Sequence, residues 1–89
     1  MGLSVDAPAR SFPEPPDHRL VTVGLYCPIP IIKTAARMKR MAPGETLEVV
    51  SSDRVILEDM PAWCRSTGNE YLGSRQDGER EWHLFVRKI

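Results

Sequence analysis

Two prolines, Pro28 and Pro30, stand between a β-rich run and a helical one, and they restrict the chain more than any other feature. The run before them, residues 18–24 (HRLVTVG), supplies Leu20, Val21 and Val23 and ends on Gly24, the pattern of a strand. The run after them, residues 28–42, repeats Ile31, Ile32, Ala35, Ala36, Met38 and Ala42 at three- and four-residue steps, which gives one apolar helical face. A proline inside a helix removes a backbone hydrogen bond and clashes with the preceding turn. In the first turn it loses nothing, because those N–H groups have no intrahelical partner, and its fixed φ already suits a helix. The two prolines therefore mark a stiff strand-to-helix turn. Pro28 also disfavours helical backbone at the residue before it, which predicts Cys27 at the N-cap.

The rest of the chain alternates in the same way. Pro43 and Gly44 stop the helix, and residues 45–52 (ETLEVVSS) alternate as a second strand. Asp53 is a candidate N-cap for a second helical segment, 54–67, which Gly68 closes. Pro61 inside it predicts a bend, or a main helix that starts near Asp59 with Pro61 in its first turn. Residues 70–89 read as a hairpin about Asp77-Gly78. The order is β-α-β-α-β-β. Strands joined by helices favour parallel pairing with right-handed crossovers, whereas the closing hairpin must be antiparallel. The fold class is α/β: a two-layer βαβαββ sandwich, a mixed four-stranded sheet with two helices on one face. In the last strand Trp82, Leu84 and Val86 alternate with His83, Phe85 and Arg87. With one face of the sheet open, His83 and Arg87 are expected in solvent and Phe85 partly exposed. The first 17 residues hold Pro8, Pro13, Pro15 and Pro16 and few apolar residues. They read as a flexible tail ahead of a domain over 18–89.

Composition narrows the function. Basic and acidic residues balance at 12 each, so no global charge draws the chain to nucleic acid or to an anionic membrane. No apolar run reaches the roughly 20 residues of a bilayer span, and the first residues lack the apolar core of a secretion signal. A soluble cytoplasmic protein is the expectation. Two cysteines, Cys27 and Cys64, are too few for a disulfide framework, and His18 and His83 are isolated in sequence. No metal site and no resident cofactor are expected.

Cys27 is the candidate reactive group. A helix N-terminus carries about half a positive charge, which predicts a thiol pKa below the usual value of about 8.5 and an accessible nucleophilic thiolate. The same residue can equally be a small buried hydrophobe with the prolines as plain caps, and the residues alone leave both readings open. No general base lies near it in sequence, which argues against a Cys-His hydrolase. Lys33, Arg37 and Arg40 share one face of the first helix at i, i+4 and i+7. They could dock an acidic protein partner. Direct nucleic-acid binding is not expected, since so few charges give little phosphate affinity and no aromatic platform accompanies them.

GLYCPIP, then MAPGETLEVVSSD, then DMPAWC, then a C-terminal hairpin together resemble the TusA/SirA family of small sulfur-carrier proteins, over about residues 18–89. The resemblance implies a two-layer βαβαββ sandwich, similar to the C-terminal domain of bacterial translation initiation factor three. It implies a sulfurtransferase that carries sulfane sulfur as a persulfide on Cys27, with Pro28 and Pro30 as motif support. It also implies a desulfurase or rhodanese-type donor protein and an acceptor protein, in relays that serve tRNA thiolation, cofactor assembly or sulfur oxidation. Cys64 matches a cysteine of the second helix and is expected in the core. Family members that serve tRNA thiolation carry Arg before the cysteine and Glu between the prolines. Here Tyr26 and Ile29 occupy those places, so the rim of the thiol is more apolar. The alternative from a different class is a non-enzymatic docking module for protein or nucleic acid, using the basic face of the first helix with Cys27 incidental.

Overall fold

A computed structural model describes residues 15–89. The elements in chain order are β1 (His18–Thr22), α1 (Ile29–Met38), β2 (Thr46–Ser51), α2 (Ile56–Thr67), β3 (Glu70–Gln76) and β4 (Trp82–Arg87). The four strands form one sheet in the order β1-β2-β4-β3. β1 runs parallel to β2, with His18 opposite Leu47 and Thr22 opposite Ser51. β4 lies antiparallel to both β2 and β3. Both helices pack on one face, so the expected mixed two-layer sandwich is the fold. The proposed tail falls mostly on residues 1–14, outside the described residues. Asp17 is tied to the sheet: its N–H donates to Thr46 Oγ1 at 3.1 Å and its carboxylate accepts from Thr46 N–H at 2.9 Å.

The core lies between the sheet and the helices. Met38 and the adjoining Met41, Leu47 and Val49 of β2, Ile56, Met60 and Cys64 of α2, and Trp82, Leu84 and Val86 of β4 form one buried cluster. Residues 56, 60 and 64 recur every four positions, so α2 buries a single stripe. That stripe explains the first departure from expectation. α2 runs unbroken through Pro61 instead of restarting near Asp59. The bond from residue 61 to the Leu57 carbonyl is lost, but anchors on either side of the proline hold the helix in register. α1 ends at Met38, short of residue 42, because the chain tightens there into i→i+3 turns, Arg40 N–H to Arg37 and Met41 N–H to Met38. α2 ends on Gly68 at φ 81°, with the N–H groups of Gly68 and Asn69 both reaching the Cys64 carbonyl.

The Pro-Gly-Glu turn fastens the end of the sheet that lies away from Cys27. Gly44 adopts φ 92°, which a side chain would strain. Its N–H donates to the Lys88 carbonyl at 2.7 Å, and Lys88 N–H returns to the Glu45 carbonyl at 2.9 Å. The Glu45 carboxylate accepts from Ala42 N–H and meets His18 Nε2, each at 2.9 Å. The Ala42 N–H first, then His18, hold this carboxyl below the usual carboxylate range.

The helix-free face of the sheet corrects two expectations. His83 is only 3% exposed and Phe85 0%. The reason is topology: β4 is an interior strand, so its side chains are flanked by Glu48 and Val50 of β2 and by Arg75 of β3. The Arg75 guanidinium sits 5.6 Å from the Phe85 ring centroid, a cation–π arrangement that shields the ring. Arg87 is half-buried and pairs with Glu70 at 2.8 Å. Phe85→Ala is therefore expected to cost about 3–5 kcal/mol, as for a core aromatic, in urea unfolding; a loss under about 1 kcal/mol, the usual size of a surface change, would show that this face is not a second core.

Candidate functional site

The parallel pairing of β1 and β2 decides where the site lies. Both strands leave the sheet at the same end, and each turns directly into a helix. The two turns, residues 23–28 and 52–55, must therefore lie side by side. Asp53 joins them. Its Oδ2 accepts from Cys27 N–H at 2.9 Å, and its Oδ1 accepts from Val55 N–H at 3.1 Å. Gly24 N–H donates to Ser52 Oγ at 2.8 Å and adds a second tie. Asp53 was expected as the N-cap of α2. It sits two residues before the Val55 N-cap and closes the turn that leads into the helix.

The sequence placed Cys27 at the N-cap of α1. Pro28 occupies that position, with φ −98° and ψ 12°, and Pro30 lies buried in the first helical turn. The Cys27–Pro28 peptide bond is cis. Pro28 also supplies the carbonyl that accepts from Ile32 N–H at 3.0 Å. Pro30 lies in the first turn as expected, whereas Pro28 stands at the N-cap and the cysteine one residue further from the helix.

Cys27 is exposed and reduced, whereas Cys64 is buried and reduced. Cys64 is part of the core cluster, and burial pushes its thiol up to about 11. The Cys27 thiol donates to Asp59 Oδ2 at 2.7 Å. That contact reverses the expected direction of its pKa. The hydrogen bond to Asp59 comes first in raising it above the ordinary thiol value, followed by loss of hydration and the negative charges of Asp59 and Asp53. A carboxylate in direct contact outweighs a partial helix charge at a distance. The site therefore favours the protonated thiol, with the Asp59 carboxylate as its hydrogen-bond acceptor.

Asp53 and Asp59 stand in the motifs MAPGETLEVVSSD and DMPAWC, but sequence reasoning gave neither a place at the thiol. They lie 26 and 32 positions from Cys27, beyond any local pattern. The usable signal was topological: two parallel strands that each feed a helix bring the first turn of the second helix beside the turn before the first.

Beyond the two carboxylates, the two turns and the start of α1 expose apolar side chains. Tyr26 is 65% exposed, and Val23, Ile29, Ile32 and Val55 are also open to solvent. A groove of about 610 Å³ runs from Tyr26 and Asp53 past Leu57 and Trp82 to Gln76, Glu79 and Arg80 at the tip of the β3–β4 hairpin. Lys33, Arg37 and Arg40 do come together, beside Leu20 and Ala36 around a shallow hollow of about 200 Å³. Arg37 Nη1 there donates to the Arg19 carbonyl at 3.3 Å. None of these three cations is a hydrogen-bond or ion-pair partner of Cys27, Asp53 or Asp59 among the described residues.

These features define a small α/β domain that presents one exposed, carboxylate-bonded thiol at its surface, on a turn tied by Asp53. The family sequence model described as Sulfurtransferase TusA matches residues 19–88, and the chain belongs to that family of sulfur carriers. The chain is similar to the sulfur carrier protein TusA of Allochromatium vinosum, with 32% identity over 72 residues that cover 81% of this chain and 93% of that protein. It is also similar to YrkF of Bacillus subtilis (strain 168), which carries a provisional sulfur-carrier name, with 49% identity over 65 residues. That match covers 73% of this chain but only 35% of YrkF, so the chain spans about a third of that relative's length. Among solved structures, the SirA-like protein of Desulfitobacterium hafniense shares the fold, with a TM-score of 0.71, 13% identity, and coverage of 79% of this chain and 95% of that one. No helix of the described residues is long and apolar enough to cross a membrane.

Asp53→Ala removes the acceptor shared by the two turns. Faster amide exchange is expected at Cys27 and Val55, with slow exchange retained in β2 and β4, and a stability loss of about 1–3 kcal/mol. Unchanged exchange at both amides would mean that Asp53 does not hold the turns together.

Proposed function

We propose that the chain carries sulfane sulfur as a persulfide on Cys27 and passes it between two protein partners. The observation that carries this reading is the exposed Cys27 thiol bonded to Asp59 on a turn fixed by Asp53, within a chain of the TusA family.

The exchange is written without any external oxidant. A donor persulfide, R–S–SH, presents its outer sulfur to Cys27. The Cys27 proton moves to Asp59 as Sγ attacks that sulfur. The new Sγ–S bond forms, the donor's S–S bond breaks, and the donor leaves as a thiolate that takes up the proton held by Asp59. The sum is Cys–SH plus R–S–SH giving Cys–S–SH plus R–SH. Transfer onward is the same exchange with an acceptor thiol. Thiol–disulfide-type reactions of this kind require an accessible attacking sulfur and a stable leaving thiolate. The sulfur atom is cargo, so the cycle needs no resident cofactor.

Asp59 serves two stages of this cycle. In the resting protein it keeps the thiol protonated, which limits adventitious oxidation, since the thiolate is the species that oxidises. During loading it is the nearest proton acceptor. The donor would be a desulfurase or rhodanese-type protein, and the acceptor a second protein thiol. Tyr26, Ile29 and Val55 are exposed apolar side chains on and beside the turns that carry Cys27 and Asp53, and they suit docking of a partner with an apolar rim of its own. We place the relay in the cytoplasm, where thiols such as these persist reduced.

Intact-mass spectrometry after brief incubation with polysulfide or thiosulfate, without reductant, tests this directly. The native chain is expected to gain whole sulfur atoms that dithiothreitol removes, and Cys27→Ser to gain none. No gain in a native chain whose Cys27 is still alkylated by iodoacetamide would contradict the proposal, as would equal loading of the Cys27→Ser variant.

A further inference from the structure

The helix-free face of the sheet holds a second group of titratable side chains, apart from the Cys27 contacts with Asp53 and Asp59. His83, on the interior strand β4, is 3% exposed. Its Nδ1 meets a carboxylate oxygen of Glu48, itself buried on β2. Its Nε2 lies 2.7 Å from Glu81 Oε2 and 3.6 Å from Asp77 Oδ2. Asp77 and Glu81 are the two ends of the hairpin turn, which is closed by Asp77 N–H donating to the Glu81 carbonyl at 2.8 Å. The ligand atoms of Asp77, Glu81 and His83 all lie within 4.8 Å of one another.

A neutral imidazole has one N–H. With that hydrogen on Nδ1, directed at the buried Glu48 carboxylate, the Nε2 lone pair faces only acceptors among these three groups. A buried nitrogen set against two carboxylates calls for a proton or a metal cation between them. Three carboxylates surround this ring; of the nearby cations, Arg19 is 3.6 Å from Glu48 and mostly exposed, and Arg75 stands opposite His83 on β3. An imidazole whose other nitrogen donates to a carboxylate is also the usual form of a metal-bound histidine, because the carboxylate fixes the tautomer and the ring direction.

We propose that His83 Nε2, Asp77 and Glu81 bind a first-row divalent cation of the zinc class, with Glu48 orienting the ring. One imidazole and two carboxylates suit such ions better than calcium or magnesium, which take all-oxygen sets. Zinc bonds of about 2.0–2.2 Å in a tetrahedron put ligand atoms roughly 3.4 Å apart. The Asp77 contact already matches that spacing. Glu81, whose side chain is 43% exposed, has to retreat by only a fraction of an ångström. Water would complete the coordination. The bound ion would pin the turn whose neighbours Gln76, Glu79 and Arg80 wall the groove beside Tyr26. A cation would thus stiffen the far side of the surface near Cys27.

The test uses the full chain carrying Cys27→Ser, so that the exposed thiol does not compete for zinc. Calorimetric titration with zinc in a weakly coordinating buffer is expected to give one saturable site. The Nε2 resonance of His83 in a ¹⁵N-labelled sample should shift on saturation, with that of His18 unmoved. The double variant Asp77→Asn, Glu81→Gln changes only exposed or half-buried groups and leaves the Glu48–His83 pair intact. It is expected to bind at least about tenfold more weakly, the size of effect that ligand-shell losses produce. Absence of saturable binding, binding undiminished in the double variant, or a zinc shift at His18 in place of His83 would each overturn the proposal.

Discussion

One carboxylate decides how the two helices meet the sheet. Asp53 accepts from Cys27 N–H with one oxygen and from Val55 N–H with the other. The register of β1 against β2, Thr22 opposite Ser51, brings the two turns close enough for that shared bond. With the turns joined, the first turn of α2 stands beside Cys27, and Asp59 reaches the thiol at 2.7 Å. The prolines complete the arrangement from the other side: Pro28 caps α1 and Pro30 is buried beneath it, so the cysteine sits on a mount with little freedom of its own.

The chemistry that follows is a balance between protection and reactivity. A thiol beside a cationic group is mostly thiolate at neutral pH, fast to react and fast to oxidise. Cys27 is held in the opposite state by Asp59 and Asp53. In the proposed relay that reactivity is released when a partner arrives and the thiol gives up its proton. Apolar contacts from Tyr26, Ile29 and Val55 would exclude water at that moment, which strengthens every charge interaction in the site. Cys64 has no such acceptor among the causes acting on it: burial alone raises its thiol, as befits a core residue.

Much of the fold was legible in the chain. Proline-marked turns, the three- and four-residue steps of the first helix, and the Asp77-Gly78 hairpin signal together gave the order of elements and the mixed sheet. Position within the sheet was less so. His83 and Phe85 alternate correctly with Leu84 and Val86, yet alternation cannot say that β4 lies between β2 and β3, and an interior strand hides both faces. Pro61 misled for a similar reason, since the helix is sustained by Ile56, Met60 and Cys64 in a core that local rules do not see. At the site, Cys27 and its prolines were visible from local chemistry and family likeness, whereas Asp53 and Asp59 come from the far side of β2. The expected fall in thiol pKa failed because it counted the helix that follows the cysteine and not the acids brought to it by the parallel strands.

The protonation state of Cys27 is the most direct measure of this arrangement. The ¹³Cβ resonance of Cys27 can be followed against pH in the native chain and in Asp59→Asn. The native thiol is expected to titrate above the ordinary value of about 8.5, and the variant distinctly lower, because the principal cause of the rise is removed. A native midpoint at or below that value, unmoved by the substitution, would mean that Asp59 does not hold the thiol and that the helix terminus governs the sulfur after all.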